Sequence, residues 1–257
     1  AGFGKIGQVR AKELERNKNT QVIAVYDIKK PDNLNENIKF CESYEELLSQ
    51  DVDAIFVCAF NSVLADYTTL ALKAGKHVFC EKPPARTSEE LKSVIKIEKE
   101  TGLVLKYGFN HRYHYSVMEA KKLIESGTMG KLLWLRGVYG KAGSIDYHKN
   151  WRNYKEYSGG GILIDQGIHM LDLMRYFSGQ DFTHINSFVT TSYWDIESED
   201  NAFAIMQSDE KVTAMLHSSA TQWKHKFLLE MCFEEGYVNL DGILSGTRSY
   251  APESLVV

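Results

Sequence analysis

The stretch Gly2-Phe3-Gly4-Lys5-Ile6-Gly7 has the spacing G-x-G-x-x-G and runs into a helical pattern over residues 5–17. Taken alone this spacing is a weak signal, because glycine-rich turns are common. Its physical logic is specific, however: a first glycine allows a tight turn, a second lets a pyrophosphate approach the backbone, and a third lets the helix pack closely on a sheet. The first N–H groups of the helix would then face the anion. We therefore predict that these six residues bind a dinucleotide.

An acidic residue follows at the distance that this interpretation requires. Asp27 comes 20 residues after Gly7, the spacing of a carboxylate that binds the hydroxyls of the adenosine ribose. Such a carboxylate would repel a 2′-phosphate, so NAD is favoured as the cofactor, while Lys29 and Lys30 keep NADP as the less favoured option. The alternative is a plain glycine turn with a chance aspartate. The chain begins at Ala1 without the strand that should precede the glycines, and we interpret this first strand as missing.

Short apolar runs alternate with helical patterns through the first half of the chain. The runs span residues 20–26, 54–59, 77–80 and 103–107, and the helical patterns span residues 5–17, 62–74 and 88–100. This alternation is typical of βαβ units around a parallel sheet. We predict an α/β dinucleotide-binding domain over residues 1–113.

The pattern changes after residue 113. Helices are predicted over residues 116–126 and 166–177, and strands over residues 131–139, 182–193, 202–207, 211–217 and 226–233. The last four strands are separated by turn signals, and consecutive strands with short connections favour an antiparallel sheet. We predict an α+β domain over residues 114–257 that is incomplete at its C-terminal end.

Composition and charge exclude several classes of protein. Of the 257 residues 44% are hydrophobic and 25% are charged, with a net charge of −4, which fits neither a low-complexity chain nor a basic nucleic-acid binder. No apolar run approaches the roughly 18 residues of a membrane span, and no signal-peptide pattern is present. The four cysteines stand far apart, which argues against disulfides and a zinc site. We predict a reduced, cytoplasmic protein that binds neither metal, membrane nor nucleic acid.

A lysine follows the strand predicted over residues 77–80, in the segment Glu81-Lys82-Pro83-Pro84. The carboxyl ends of parallel strands are where open α/β sheets place their ligands. Lys82 is therefore a candidate to donate to a substrate oxygen or to lower the pKa of a neighbouring acid. The alternative is a surface lysine in a rigid loop.

A second candidate centre lies in residues 159–169, which read Gly-Gly-Gly-Ile-Leu-Ile-Asp-Gln-Gly-Ile-His. Asp165 and His169 are four residues apart and share a face if the helix has begun by then, and Asp172 lies near that face. A histidine beside a carboxylate can act as a general base. The alternatives are a helix-capping aspartate with a core histidine, or two ligands of a divalent ion.

Five motifs follow one another along the chain. In addition to the glycine turn they are Ala71-Leu72-Lys73-Ala74-Gly75-Lys76-His77-Val78-Phe79-Cys80-Glu81-Lys82-Pro83, Gly108-Phe109-Asn110-His111-Arg112-Tyr113, Trp151-Arg152 and residues 159–169. Together they resemble the Gfo/Idh/MocA family of oxidoreductases, which includes glucose–fructose oxidoreductase and inositol dehydrogenase. The resemblance implies an N-terminal Rossmann domain and a C-terminal α+β domain with an open, mainly antiparallel sheet that often forms the oligomer interface.

The resemblance also implies roles for three residues. Lys82 is expected to polarise the reacting oxygen, Asp165 to position a substrate hydroxyl, and His169 to act as the acid/base. These three are the predicted catalytic residues.

Further cofactor contacts follow from the same resemblance. It places Ala59 and Asn61 beside the cofactor and Glu81 near the nicotinamide ribose. Where many members read Thr-Pro-Asn-x-x-His, this chain reads Ala59-Phe60-Asn61 and carries Leu64 at the histidine position. The local cofactor contacts are therefore expected to differ here.

Our hypothesis from the sequence is NAD(H)-dependent hydride transfer at a secondary hydroxyl or ketone of a sugar, nucleotide-sugar or cyclic polyol, by a homodimer or homotetramer. The predicted substrate-binding residues are Lys82, Arg112, Trp151, Arg152 and Asp165, since aromatic faces suit sugar rings and an arginine can hold a phosphate or carboxylate. One alternative is a non-catalytic NAD(P) sensor on the same fold. Another is hydrolysis with bound NAD as a recycled redox centre.

Overall fold

The computed structural model describes residues 1–246 and 248–257, which divide into two compact units, Ala1–Gly108 and Phe109–Val257. The sequence places the domain boundary a few residues later, at 113/114. The difference is the 3₁₀ turn Asn110–Tyr113, which belongs to the C-terminal unit because its His111 packs against Tyr139 and Phe227.

The N-terminal unit is built from parallel strands and connecting helices. Its elements are α1 (Lys5–Arg16), β1 (Ala24–Tyr26), β2 (Lys39–Cys41), α2 (Tyr44–Leu48), β3 (Ala54–Val57), α3 (Asn61–Lys73), β4 (His77–Cys80), α4 (Ser88–Thr101) and β5 (Leu105–Tyr107). β1 pairs with β2, and β3, β4 and β5 form a second parallel set. The backbone of the first two residues joins the two sets: Gly2 N–H donates to the Tyr26 carbonyl at 2.8 Å, and Cys58 N–H donates to the Ala1 carbonyl at 2.7 Å.

Local sequence explains where the helices of this unit begin and end. The Thr87 hydroxyl accepts from Glu90 N–H at the start of α4, and Gly102 ends that helix in the left-handed conformation. The Ser43 hydroxyl caps α2 in the same way, through Glu46 N–H. Each capped helix carries two glutamates in its first turn, where the helix dipole favours anions.

The C-terminal unit contains one large sheet. Its elements are the 3₁₀ turn named above, α5 (Tyr115–Glu125), β6 (Leu132–Gly140), 3₁₀ turns at Tyr147–Lys149 and Trp151–Asn153, α6 (Lys155–Ser158), a π-helical turn (Leu163–Gly167), α7 (Ile168–Ser178), β7 (Phe182–Thr190), β8 (Asn201–Ser208), β9 (Thr213–Ser219), β10 (Lys226–Phe233), β11 (Tyr237–Asp241) and β12 (Ser254–Val256). The strand order is β12-β11-β10-β6-β9-β8-β7. All neighbours are antiparallel except β6 and β9, so the prediction of a mainly antiparallel sheet is confirmed.

The two faces of this sheet differ. One face holds the core, where Gly137 of β6 leaves room for Met170 and Met174 of α7; a Cβ at Gly137 would lie 2.6 Å from the Met170 sulfur. The opposite face is open and partly apolar. Its exposed side chains include Trp134, Phe188, Phe203, Ile205 and Met215.

Across residues 1–246 and 248–257, every helix is either too short or too polar to cross a lipid bilayer.

Candidate functional site

The three glycines of the opening turn have different surroundings. Gly2 has a φ of +79°, and a Cβ there would lie 2.5 Å from the Cys58 carbonyl oxygen. A Cβ at Gly7 would collide with the Gly2 carbonyl oxygen, whereas a Cβ at Gly4 would meet nothing within 4 Å. The first and third glycines are therefore required by backbone packing, and the second lies against open space.

The N-terminus of α1 differs from the capped helices of the same unit. Gly4 occupies its cap position without a side-chain hydrogen bond, and its first turn contains no acidic residue. The first N–H groups of a helix have no partner inside the helix and attract anions. With Gly4 open in front of them, these groups fit the pyrophosphate of a dinucleotide.

Asp27, directly after β1, reaches the glycine turn. Its Oδ2 accepts from Phe3 N–H at 2.5 Å and its Oδ1 from Lys29 N–H at 3.3 Å. Each carboxylate oxygen has a second acceptor site, so Asp27 can still accept from ribose hydroxyls. The structure thus brings together the glycine turn and the acid that the sequence paired with it.

The segment after β4 is held by an ion pair. Glu81 accepts from Arg10 Nε at 2.7 Å, and its carboxylate occupies the space beside Gly108, where a Cβ would lie 2.8 Å from Oε2. Lys82 follows, half-buried, and a cis bond links it to Pro83. Arg10 was not predicted from the sequence, because nothing in its helical pattern marks a partner 71 residues away.

The remaining predicted cofactor residues lie at the start of α3 and just before it. Asn61 is the first residue of this helix and is buried, and Ala59 is packed against the core of the unit. Leu64, at the family's histidine position, is a fully buried core side chain. Lys5 and Ile6 are exposed on the first turn of α1.

In the C-terminal unit, the glycines at residues 159–161 leave room for the side chain of a distant residue, Glu199, to cap the following helical turn. Gly161 N–H donates to both carboxylate oxygens of Glu199 at 3.0 Å, and Leu163 N–H donates to one of them at 3.1 Å. A Cβ at Gly161 would collide with the Glu199 backbone. Glu199 therefore fixes the start of the π-helical turn that carries Asp165.

Two cations hold the Asp165 carboxylate. Lys141 Nζ lies 3.0 Å from Oδ2 and Arg152 Nε lies 3.1 Å from Oδ1. Arg152 also stacks on Trp151, with its guanidinium carbon 4.4 Å from the ring centroid. Three of the predicted substrate-binding residues thus lie together. Lys141 was missed, because only its position after β6 brings it to Asp165.

His169 lies one turn further on and is buried, at 4% exposure. Its ring stacks on that of His111, with centroids 3.9 Å apart and planes 23° apart, and Phe109 packs edge-on against it. His111 was not predicted as a functional residue. Its only signal in the sequence was its place in the motif of residues 108–113.

Arg112, which the sequence predicts to hold a substrate anion, is hydrogen-bonded to Asp172. Its Nε donates to Asp172 Oδ2 at 2.8 Å and its Nη2 to Oδ1 at 2.5 Å, and it lies over the Tyr176 ring. The hydrogen bonds to Asp172 raise the pKa of the Arg112 guanidinium. A role in holding a substrate anion stays a prediction.

A Rossmann-type unit with a glycine turn before its first helix, followed by an open-sheet unit that carries Asp165 and His169, defines a class of two-domain dehydrogenase-like proteins. Residues 1–109 match the family model described as an oxidoreductase family with an NAD-binding Rossmann fold, and residues 117–239 match the GFO/IDH/MocA C-terminal domain. The chain belongs to the GFO/IDH/MocA family. This confirms the predicted family, the predicted fold class and the NAD-binding nature of the first unit.

Individual relatives agree with this membership. Levoglucosan dehydrogenase of Pseudarthrobacter phenanthrenivorans is 36% identical over 143 residues, which are 55% of this chain and 36% of that protein. Myo-inositol 2-dehydrogenase of Thermotoga maritima is 28% identical over 72% of this chain and 55% of that protein. The chain therefore matches only about a third to a half of the length of these two relatives.

A solved structure shows the same fold. The WlbA dehydrogenase of Bordetella pertussis, in complex with NADH and UDP-GlcNAcA, superposes with a TM-score of 0.84 at 20% identity, over 94% of this chain and 72% of that one.

Proposed function

We propose that this protein is an NAD(H)-dependent oxidoreductase that transfers a hydride at a secondary hydroxyl or ketone of a sugar, nucleotide-sugar or cyclic polyol. Family membership supports this reaction class, and relatives named for levoglucosan and myo-inositol support this substrate class. The observation that carries the proposal is the placement of a buried imidazole, His169, four residues after the ion-paired carboxylate of Asp165.

In the oxidative direction, His169 removes the proton of the substrate hydroxyl. Lys82 stabilises the negative charge that develops on that oxygen, because an ammonium interacts most strongly with an oxyanion in a site that excludes water. When bound, NAD supplies the hydride acceptor at C4 of its nicotinamide. In the reductive direction His169 returns the proton.

Asp165 would orient the substrate rather than exchange protons. Its carboxylate, held by Lys141 and Arg152, accepts from a neighbouring hydroxyl of the ring. Trp151 lies beneath Arg152 and is the aromatic ring closest to this centre that could contact a sugar. Tyr147 lies beneath Lys141 but is buried in the core, at 6% exposure. The two cations balance the carboxylates of Asp165 and of Glu199, which caps the same turn.

The first unit would select NAD over NADP. Asp27 places its negative charge beside the glycine turn, where the 2′-phosphate of NADP would be repelled. Glu81, braced by Arg10, and Asn61 at the start of α3 would complete the cofactor contacts.

We further propose that the open face of the C-terminal sheet joins two or four copies of the chain. Trp134, Phe203, Ile205 and Met215 expose apolar surface on neighbouring strands, as homodimer interfaces do. Ile205→Glu should shift light-scattering mass toward the monomer, and Ile28→Glu, on an exposed position of the first unit, should leave it unchanged. Equal masses for the wild-type protein and Ile205→Glu would refute this interface.

A cytoplasmic location stays a prediction. It is supported by the four cysteines, which all remain thiols although two of them are fully buried.

The reaction is tested by following NADH absorbance with a panel of free sugars, anhydrosugars, inositols and UDP-sugars. We expect turnover with one subclass, and a loss of at least about 100-fold in kcat for Lys82→Met and His169→Asn, since general acid–base catalysis typically contributes that much. NAD affinity, measured by calorimetry, should change little in both variants. Unchanged rates in both would refute the assigned roles, and tight NAD binding without turnover of any compound would favour a sensor.

A further inference from the structure

His225 is a half-buried histidine of the C-terminal unit that lies beside the polar centre at Asp165. Among residues 1–246 and 248–257, no group is hydrogen-bonded to either nitrogen of its ring, and both nitrogens remain accessible to solvent. Its neighbours in that part of the chain are the Tyr250 ring and the charge of Lys141. An imidazole in this setting has its full hydrogen-bonding capacity available to a ligand.

The pairing of β6 with β10 places His225 opposite Lys141. The two strands are antiparallel, and Lys226, the first residue of β10, pairs with Gly140, the last residue of β6. The next residues outward are His225 on one strand and Lys141 on the other, and side chains opposite each other in an antiparallel pair point to the same face. The effect of the Lys141 charge on the His225 ring agrees with this placement.

A second line of contacts joins His225 to the same centre. Its ring meets that of Tyr250 edge-on, with centroids 4.9 Å apart and planes 84° apart. The Tyr250 hydroxyl lies 3.3 Å from Gln166 Nε2, and Gln166 follows Asp165 in the chain. On the other side, Lys141 Nζ lies 3.0 Å from Asp165 Oδ2. His225 is therefore connected to Asp165 in two directions, through Lys141 and through Tyr250.

The three polar groups of this arrangement have complementary hydrogen-bonding capacity. The Lys141 ammonium has three N–H groups, one of which donates to Asp165, and it lies 4.9 Å from the centroid of the Tyr147 ring. Asp165 supplies acceptors. Burial lowers the pKa of His225, and the charge of Lys141 lowers it further, so the ring is uncharged at neutral pH and offers one donor and one acceptor.

A hydroxyl suits His225 better than an anion does. The positive charges of Lys141 and Arg152 are balanced by nearby carboxylates, and an uncharged imidazole adds no further positive charge. A hydroxyl both donates and accepts, as the ring of His225 does. A polyol ring carries hydroxyls on neighbouring carbons, and the carboxylate and the imidazole on the two sides of the Lys141 ammonium match two of them.

We propose that His225 is a specificity-determining residue that binds a hydroxyl of the substrate ring, next to the hydroxyl held by Asp165. The inference rests on the proposed function, since a sugar or polyol must bind at Asp165 for His225 to contact it. It narrows the substrate class to rings that carry at least two hydroxyls besides the one that reacts.

The test measures binding to the protein loaded with NADH, because an alcohol cannot pass a hydride to the reduced cofactor and no turnover interferes. Calorimetry with myo-inositol, levoglucosan and D-glucose gives the Kd of each compound. His225→Phe keeps a ring against Tyr250 and removes both nitrogens, so the Kd of the bound compound should rise about 3- to 10-fold, as expected for the loss of one neutral hydrogen bond. His225→Gln, which still donates and accepts, should recover part of this loss. His184→Gln, on the exposed strand β7, is the matched control and should leave the Kd unchanged.

Monodeoxy analogues of the compound that binds identify the hydroxyl. One analogue should bind the wild-type protein more weakly by the same factor and should bind His225→Phe no more weakly than the parent compound does, because the hydrogen bond is already absent. In the active enzyme, His225→Phe should raise KM by this factor and change kcat less than about twofold, since the hydrogen bond is made equally in the ground state and the transition state.

The outcomes separate this inference from the proposed function. A compound that the wild-type protein binds with a Kd unchanged in His225→Phe overturns the role of His225 alone. An equal loss in His225→Phe for the parent and for every deoxy analogue assigns the effect to packing and also overturns it. Failure of the wild-type protein to bind any of the three compounds refutes the proposed substrate class, and the role of His225 with it.

Discussion

Replacing Gly4 by alanine separates the binding of NAD from the stability of the fold. A Cβ at Gly4 meets no atom within 4 Å, and its φ of −67° is accessible to any residue. Alanine restricts the backbone of the unfolded chain, which stabilises the fold, but it is a poorer helix cap than glycine, which destabilises it. Because the two effects oppose each other, the free energy of unfolding should change by less than about 1 kcal/mol. The new methyl group stands where the pyrophosphate would approach α1. Losing one charge-assisted hydrogen bond there is worth about 1.5–3 kcal/mol, which raises the Kd for NAD roughly 10- to 100-fold.

Gly7→Ala provides the matched comparison on the same helix. Its Cβ collides with the Gly2 carbonyl oxygen and lies 3.7 Å from the Cys58 Cβ, so α1 must move away from the turn. The collision should destabilise the fold by about 1–3 kcal/mol, and the better helix propensity of alanine should offset up to about 1 kcal/mol of that loss. We therefore expect the unfolding midpoint to fall by about 5–10 °C. Circular dichroism melting measures stability, and calorimetry with NAD measures affinity. Wild-type NAD affinity in Gly4→Ala would refute the assignment of this helix end to the pyrophosphate.

Three further predictions concern individual carboxylates. Asp27→Ser should raise the ratio of kcat/KM for NADP to that for NAD at least about tenfold, because it removes the charge that repels the 2′-phosphate; an unchanged ratio would contradict the ribose role. Arg112→Met should lower the free energy of unfolding in urea by about 2–3 kcal/mol, since it leaves the Asp172 carboxylate, 8% exposed, without its cation. The substrate KM of the same variant tests the predicted substrate role of Arg112: a rise in KM would support anion binding, and a change of less than about twofold would refute it. Asp200 is fully buried, which alone would raise its pKa, but its hydrogen bonds from three backbone N–H groups outweigh burial and hold its pKa below the usual value. Its stabilising effect is therefore present above the unfolded-state pKa of about 4 and is lost as the pH falls through the folded-state value, so the stability difference from Asp200→Asn should vanish in acid. A difference that is constant with pH would contradict this.

The sequence predicted the long elements well and the short ones poorly. The predicted helix over residues 88–100 corresponds to α4 (Ser88–Thr101), because its apolar spacing and its cap act locally. β2 (Lys39–Cys41) was missed, since three residues carry no periodicity and the strand exists only through its pairing with β1. The capping pattern Ser43–Glu46 would have revealed α2.

The candidate site was predictable where its residues stand at a fixed spacing within one local segment of the sequence. Asp165 and His169 stand on one helical stretch, and Asp27 follows the glycine turn at a fixed spacing. Lys141 and His111 were not predictable, because the sheet and its flanking helices bring them to their partners from positions 24 and 58 residues away in the chain.

The partner of Arg112 was also not predictable from the sequence. Its motif suggested a cation for the substrate, yet its guanidinium is engaged by Asp172, 60 residues further along the chain. A pattern of residue types gives the chemistry a side chain can perform, and only the packing gives the group on which it acts.

The measurement that tests the central claim most directly is the transfer of deuterium from substrate carbon to the cofactor. Carbon-deuterated inositols and sugars would be incubated with the protein and NAD, and the mass of the NADH formed would be read by mass spectrometry. Hydride transfer predicts that NADH gains one deuterium from one substrate class and that the transfer disappears in His169→Asn and Lys82→Met. Bound NAD that stays oxidised with every compound, or NADH without deuterium, would contradict the account.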